Sequence, residues 1–181
     1  MSGDPPGDAR RIDEQALDQL QRLWTPWRMA YIQDPDRKIT GCPFCVLPTG
    51  EDDREALIVH RGETGFVILN AFPYNPGHLM VVPYRHVDAF DALTEHELTE
   101  MALLSQRAVR VLKTCSDPHG FNLGVNVGGV AGAGIADHIH QHVVPRWGGD
   151  TNFMPVIAGT RVLPELLEET YDRIAPAFAE A

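Results

Sequence analysis

His138-Ile139-His140-Gln141-His142-Val143-Val144 lies near the carboxyl end of this 181-residue chain and has a histidine at every second position. Because successive side chains of a β-strand point to opposite faces, this spacing predicts a strand with three imidazoles on one face. With 8 histidines in 181 residues, chance gives such a triplet in roughly 1–2% of chains of this composition when matched to a template. The segment therefore indicates a functional strand.

Two kinds of chemistry use clustered imidazoles. Three histidines can bind a catalytic metal such as zinc, with one coordination position left open. Alternatively, one imidazole attacks phosphorus and forms a covalent intermediate, which divides a difficult transfer into two easier steps. Side chains at positions 138 and 142 of a straight strand lie ~13 Å apart, which is too far for a single shared ion. The spacing therefore favours His140 as a nucleophile between two histidines that contact phosphate oxygens.

Secondary-structure signals on either side of the histidines predict an α+β fold. Thr94-x-x-Glu97 is a capping box that begins a long helix, and its apolar face continues to about Cys115. Short apolar runs bounded by turn residues predict the strands, at Leu57–His60, Phe66–Leu69, His78–Pro83, Phe121–Val127 and His138–Val144, with Pro145 ending the last one. This order predicts a mostly antiparallel, five-stranded sheet with the long helix packed on one face.

The chain ends differ in composition from the middle. Residues 1–10 are rich in Gly, Pro and Asp and predict a disordered tail, while residues 11–181 predict a single domain. Ile12–Trp24 has a helical apolar stripe, and a final helix is expected after Pro164.

Charge and hydropathy exclude several functional classes. The net charge of −10 and pI near 5.1 argue against binding a nucleic-acid backbone. No apolar run approaches the ~20 residues of a membrane-spanning helix. Residues 1–9 lack the basic and apolar regions of a signal peptide. We therefore expect a cytoplasmic protein without a membrane partner.

Two further motifs carry chemistry. Gly128–Gly134 has four glycines directly before the histidine strand, and the backbone N–H groups of such a loop can surround a phosphate. Cys42 and Cys45 form a Cys-x-x-Cys pair, which indicates metal or redox chemistry in a chain with too few cysteines for a disulfide framework. A structural zinc site needs two more ligands. Cys115 is predicted to be a packed hydrophobic residue.

The chain resembles the histidine triad (HIT) family of nucleotide hydrolases and transferases. His138–Val144 fits the family pattern His-x-His-x-His followed by two apolar residues, and Asn70 and Pro76-Gly77-His78-Leu79 match further positions. The segments 20–26, 73–78 and 144–150 are similar to the branch of bacterial diadenosine tetraphosphate phosphorylases. The resemblance implies a homodimer that cleaves dinucleoside polyphosphates, with inorganic phosphate as the acceptor.

The resemblance also assigns roles by position. His140 matches the nucleophile that forms a nucleotidyl-histidine, and His142 matches a contact to the α-phosphate or leaving-group oxygens. Asn70 matches a ribose contact, while Gly134 stands where the family has Ser, Thr or Gln. The other expected nucleotide contacts are Phe72, Asn126, Gly132, Ala133, Gln141 and Trp147. His78, which follows a glycine at a strand start, is predicted to be structural.

Some members of the family have a Cys-x-x-Cys pair together with two histidines, and this resemblance implies the metal ligands. The matching residues are Cys42, Cys45, His86 and His138, which together imply a structural zinc ion and no organic cofactor. His138 then serves as a ligand instead of a substrate contact, and His60 is a second candidate for the fourth ligand.

Three alternative functions stay open at this point. A family member of the same fold could hydrolyse nucleoside phosphoramidates or dinucleotides, with water in place of phosphate. A zinc-stabilised protein that binds nucleotides without catalysis is the second alternative, and Gly134 favours it. The third is a metal-dependent hydrolase that uses the histidine strand itself.

Overall fold

The computed structural model describes residues 40–150, 163 and 165–180. The predicted tail at 1–10, the predicted helix at Ile12–Trp24 and Pro164 lie outside the described residues. Among the residues that the structure describes, no helix is both long enough and apolar enough to cross a membrane.

One antiparallel sheet forms the centre of the described protein and confirms the predicted α+β class. Its five strands lie in the order β1-β2-β3-β5-β4. Their bounds are β1 Ile58–Arg61, β2 Gly65–Leu69, β3 Leu79–Pro83, β4 Gly120–Val125 and β5 Gln141–Arg146. All four strand pairs are antiparallel. Within the described residues, three α-helices accompany the sheet, namely α1 Pro43–Val46, α2 Glu95–Ser116 and α3 Leu167–Glu180.

Alternation along the strands divides the core into two layers. On one face of the sheet, α2 and α3 cover Val67, Leu79 and Val81, which are fully buried. On the other face, Phe66, Ile68, Met80 and Val82 pack against Phe44 of α1. The predicted long helix therefore lies on one face, and the opposite face is left for α1 and the functional residues.

Both ends of α2 are set by residues close to them in the sequence. The Thr94 hydroxyl accepts a hydrogen bond from the Glu97 backbone N–H, and the Glu97 carboxylate accepts one from the Thr94 backbone N–H. This confirms the predicted capping box. The helix ends at Ser116, and Asp117 adopts the left-handed conformation (φ 43°) that terminates many helices.

The prediction for the histidine strand was wrong at both ends. The strand β5 begins at Gln141, so His138 and His140 precede it, and it continues through Pro145 to Arg146. Pro145 is tolerated because the β3 ladder stops at Val143, and beyond that point β5 pairs only with β4. The Pro145 carbonyl accepts a hydrogen bond from the Asn75 side chain, so the missing proline N–H breaks no ladder hydrogen bond.

Candidate functional site

His140 lies just before β5 on the face of the sheet opposite α2. It is only 4% exposed, and the Phe44 ring packs against it with ring centroids 5.0 Å apart. Its Nδ1–H donates to the His138 carbonyl oxygen at 2.9 Å. Burial lowers the pKa of His140, so the neutral ring holds its proton on Nδ1. The Nε2 atom therefore carries a lone pair, as a nucleophile requires.

His142 belongs to a chain of hydrogen bonds that fixes its tautomer. The Tyr74 backbone N–H donates to Nδ1 of His78 at 3.0 Å, so Nε2 of His78 holds the proton. That proton is donated to Nδ1 of His142 at 2.9 Å. Burial, with a smaller contribution from His140, lowers the pKa of His142 to about 4. A neutral His142 therefore presents an N–H at Nε2.

These two histidines offer complementary functions side by side. Their ring centroids lie 4.9 Å apart in an edge-to-face arrangement. His140 presents an unprotonated nitrogen, and His142 presents a protonated one. One group can attack an electrophile while its neighbour donates to the oxygen that leaves.

His78 has a role that the sequence interpretation missed. It is fully buried, and its Nδ1 also lies 3.3 Å from the Asn70 amide nitrogen. Gly77 gives the loop its turn into β3 with φ +78°, and a Cβ at this position would lie only 3.2 Å from the Leu112 side chain. No local pattern in the sequence indicates the contact with His142, because that residue lies 64 positions away and pairs with Met80, two positions after His78.

A second cluster lies on the other side of His138. Nδ1 of His138 is 3.4 Å from Cys42 Sγ and 3.6 Å from Cys45 Sγ, and Nδ1 of His86 is 3.3 Å from Cys45 Sγ. The two ring nitrogens are 3.3 Å apart. All four ligand atoms lie within 4.8 Å of one another. The structure thus brings the four predicted metal ligands together.

The protonation states at this cluster suit a metal ion. Nε2 of the fully buried His138 donates to the Pro83 carbonyl at 2.9 Å, which leaves a lone pair on Nδ1 toward the thiols. Burial also lowers the pKa of His138 and keeps the ring neutral. Burial and the neighbouring Cys42 raise the pKa of Cys45, and a cation in the cluster would favour its thiolate form. We conclude that the residues fit a metal ion.

Two other residues predicted to contact the nucleotide, Asn126 and Phe72, lie on chain segments next to the histidines. Val125 is the partner of Gln141, so Asn126 follows at the register position of His140. Gly124, opposite His142, has no atom within 4 Å of a Cβ position, which leaves open space beside that ring. Phe72 is 52% exposed, and its N–H donates to the Asn70 side chain at 2.8 Å.

Two predicted nucleotide contacts are separated from His140. Gln141 is the partner of Val81, whose side chain packs in the layer beneath α2, so Gln141 lies on the opposite face from the histidines. Trp147 follows the far end of β5, and seven residues of extended chain correspond to about 23 Å. The structure therefore does not bring the side chains of Gln141 and Trp147 next to His140 of the same chain, and their contact with the nucleotide stays a prediction.

The predicted phosphate-binding residues Gly132, Ala133 and Gly134 belong to the glycine loop. Gly134 lines a cavity of about 790 Å³ together with Cys42, Cys45 and His86. No atom lies within 4 Å of a Cβ position at Gly132 or Gly134. Ala133 lies between them and is half-buried.

His60 and Cys115 lie outside both clusters. His60 accepts from Arg107 at 3.0 Å and stacks on Phe178, so it is excluded as a ligand of the cysteine pair. Cys115 packs at the edge of the core, as predicted.

The family model described as the HIT domain matches residues 51–149. The chain belongs to the HIT family. This HIT protein is 48% identical over 169 residues to a protein of Mycobacterium tuberculosis named AP-4-A phosphorylase, covering 90% of this chain and 86% of that one. The matched segment covers most of the chain, and the name of this relative agrees with the phosphorylase branch that the sequence resembles.

Solved structures of HIT proteins share the fold. A Zn-bound histidine triad family protein from Mycobacterium smegmatis is similar with a TM-score of 0.63 and 28% identity, covering 77% of this chain and 94% of that chain. A hypothetical histidine triad nucleotide-binding protein from Sulfolobus tokodaii has a TM-score of 0.62 and 27% identity, covering 77% and 93%. The fold is therefore that of the family.

Proposed function

We propose that this protein is a nucleotidyl transferase that phosphorolyses diadenosine tetraphosphate through a nucleotidyl-His140 intermediate. The observation that carries the proposal is the tautomer of His140, whose Nδ1–H is donated to the His138 carbonyl and whose Nε2 is bare. The similarity to the mycobacterial AP-4-A phosphorylase supports the choice of substrate.

The first half-reaction follows from the two tautomers. Nε2 of His140 attacks the α-phosphorus and forms an N–P bond, while the bond from that phosphorus to the bridging oxygen breaks. The Nε2–H of His142 donates to the departing oxygen, so ATP leaves and AMP stays on His140. In the second half-reaction an oxygen of inorganic phosphate attacks the same phosphorus, releases His140 and yields ADP.

The proposed nucleotide contacts follow the histidine face of the sheet. Asn126, at the register position of His140, is proposed to contact the phosphates. Asn70, held beside His78, is proposed to contact the ribose, and the exposed Phe72 ring is proposed to cover the base. Backbone N–H groups of Gly132–Gly134 are proposed to contact the phosphates in place of the hydroxyl or amide that the family has at Gly134.

We also propose that the metal ion at Cys42, Cys45, His86 and His138 is zinc and is structural. Tetrahedral zinc with Zn–N of ~2.0 Å and Zn–S of ~2.3 Å has N–N edges of about 3.3 Å and N–S edges of about 3.5 Å. The N–N separation of 3.3 Å and the N–S separations of 3.3, 3.4 and 3.6 Å agree with these values. Bound zinc would join the cysteine loop to the chain that leads into β5.

A homodimer that associates through β4 is the proposed assembly. β4 is the last strand in the order β1-β2-β3-β5-β4, and its residues Gly120–Val125 include no charged side chain. Leu123 on this strand is 48% exposed. An uncharged edge strand of this length favours pairing with a second copy.

We also propose a cytoplasmic location, because a reducing compartment keeps the two thiol ligands from oxidation.

The decisive experiment is incubation of diadenosine tetraphosphate with the protein, with and without inorganic phosphate. ADP and ATP formed only when phosphate is present would support the phosphorylase proposal. AMP formed equally in both would assign a hydrolase, and no turnover would support the non-catalytic alternative. His140→Gly is expected to abolish turnover, whereas His96→Ala, on the exposed surface of α2, serves as the matched histidine control.

A further inference from the structure

The chain that carries His140 lies at a gap in the sheet. The ladder between β3 and β5 extends only from Leu79–Val143 to Val81–Gln141, so residues 138–140 lie beyond its end. Across the gap, the Ile139 N–H donates to the Val87 carbonyl at 2.7 Å, and His138 Nε2–H donates to the Pro83 carbonyl at 2.9 Å. These two hydrogen bonds join residues 138 and 139 to the chain at the end of β3 and just after it, and residues 138–140 are all buried.

His138 contacts the other members of the cluster (Cys42, Cys45 and His86) through its ring, and it contacts His140 through its backbone carbonyl. Its ring nitrogen Nδ1 is within 3.4 Å of Cys42 Sγ and 3.3 Å of His86 Nδ1. Its carbonyl oxygen accepts the Nδ1–H of His140 at 2.9 Å. Because the ring is fully buried, a shift of the ring displaces the backbone that holds His140.

We propose that His138 is a positioning residue through which metal occupancy of the cluster sets the tautomer of His140. A metal ion held by His138 and His86 would join the chain that follows β3 to the chain that precedes β5. When the metal leaves, two thiols and two imidazoles face one another without a shared cation, and His138 loses one of its two ring anchors. His140 then loses a fixed acceptor for its Nδ1–H.

The consequence concerns which nitrogen of His140 carries the proton. Without the His138 carbonyl in place, the Nε2–H tautomer becomes populated, and a protonated Nε2 has no lone pair for attack. The functional part of this inference rests on the proposed nucleophilic role of His140. The structural part, a tautomer that depends on metal, does not need turnover and is tested apart from it.

The metal is accessible for such a test. Cys42, Cys45 and His86 line a cavity of about 790 Å³ that also includes Gly134 and Ile135. His86 is exposed, whereas His138 is fully buried. A chelator can therefore reach the cluster from the His86 side without unfolding α2 or the rest of the sheet.

The experiment compares the full chain, labelled with ¹⁵N-histidine, in its zinc-loaded form and after treatment with a strong chelator. Long-range ¹H–¹⁵N correlation spectra report which imidazole nitrogen of each histidine is protonated. With zinc we expect His140 as the Nδ1–H tautomer alone. After chelation we expect both tautomers, together with amide exchange at Ile139 that is faster by about tenfold or more. Adding zinc back should restore both signals.

Two variants sharpen the comparison. His86→Ala removes the exposed ligand without opening the core, so the tautomer change should occur at lower chelator concentration. Cys115→Ser changes a thiol outside the cluster and should behave like the unmodified chain. In activity assays of the metal-depleted protein we expect kcat to fall by about tenfold or more while KM stays unchanged.

Three results would overturn the inference. The first is a His140 that keeps the Nδ1–H tautomer after complete metal removal, with Ile139 exchange unchanged. The second is global unfolding on chelation, seen as lost amide protection along α2, because the metal would then support the whole fold without acting selectively on His140. The third is a kcat that is unaffected by metal depletion while the tautomer changes. A tautomer change in a protein without phosphorylase activity would instead refute only the proposed function.

Discussion

The hydrogen-bond chain through His78 predicts a difference between two substitutions at one position. In the structure, Nδ1 of His78 accepts from the Tyr74 backbone and Nε2 donates to His142. An asparagine amide reaches about as far as Nδ1, whereas a glutamine amide reaches about as far as Nε2. His78→Asn therefore keeps only the contact to Tyr74, and His78→Gln keeps a donor toward His142.

The magnitude follows from the group that His142 is proposed to contact. Without a donor at Nδ1, His142 can place its own proton there and lose the Nε2–H directed at the leaving oxygen. A hydrogen bond to a charged oxygen contributes about 1.5–3 kcal/mol, which corresponds to a factor of about 10–150 in rate. We expect His78→Asn to lower kcat by that factor and His78→Gln to lower it by less than about tenfold.

The assay is ADP release from diadenosine tetraphosphate in the presence of phosphate, with thermal unfolding measured in parallel. Both substitutions replace a fully buried ring and should cost similar stability, about 1–3 kcal/mol. A comparable loss of kcat in the two variants, or wild-type kcat in His78→Asn, would refute the tautomer reasoning.

Three further predictions concern the Glu97 carboxylate, the packing of the Phe44 ring and the pH dependence that His142 gives to stability. Arg85 holds the pKa of Glu97 at about 2, against an ordinary value of 4.5, so this carboxylate contributes stability above pH 4.5 that is lost as the pH falls toward 2. Glu97→Gln should therefore cost about 1–3 kcal/mol at pH 7 and less at pH 3, measured by urea unfolding at each pH. Phe44→Ala, which removes a buried ring between the two histidine clusters, should lower the free energy of unfolding by about 3–5 kcal/mol; a loss below about 1 kcal/mol would contradict this packing. The folded pKa of His142, about 4 against 6.5 when unfolded, predicts stability that is complete above pH 6.5 and falls as the pH drops toward 4. His142→Asn should flatten that part of the pH profile, and an unchanged slope would show that other groups cause it.

Local signals in the sequence predicted α2, α3 and most of the sheet, but not the short helix α1. The capping box at Thr94 located the start of α2 because both partners of its hydrogen bonds are four residues or fewer apart. The histidine alternation predicted the strand but not its start, because β5 begins where β3 offers its first partner, at Gln141 opposite Val81. That limit depends on a distant segment and leaves no local signal near His138.

The candidate site was likewise predicted only in part from the sequence. The Cys-x-x-Cys spacing indicated two metal ligands, and the resemblance supplied His86 and His138, which the structure places beside the thiols. His78 was interpreted as structural because it follows a glycine at a strand start, and its contact with His142 was not predicted because His142 lies 64 positions away. Gln141 and Trp147 were assigned by position in a motif; Gln141 lies on the other face of β5 and Trp147 follows its far end, so these two assignments stay predictions.

The proton positions of the paired imidazoles are held by main-chain atoms. The Tyr74 N–H and the His138 carbonyl belong to the polypeptide backbone, so a codon change at either position leaves the atom itself in place. Only proline at position 74 deletes the donor outright. A library randomised at position 74 should therefore return active clones with many different residues but none with proline.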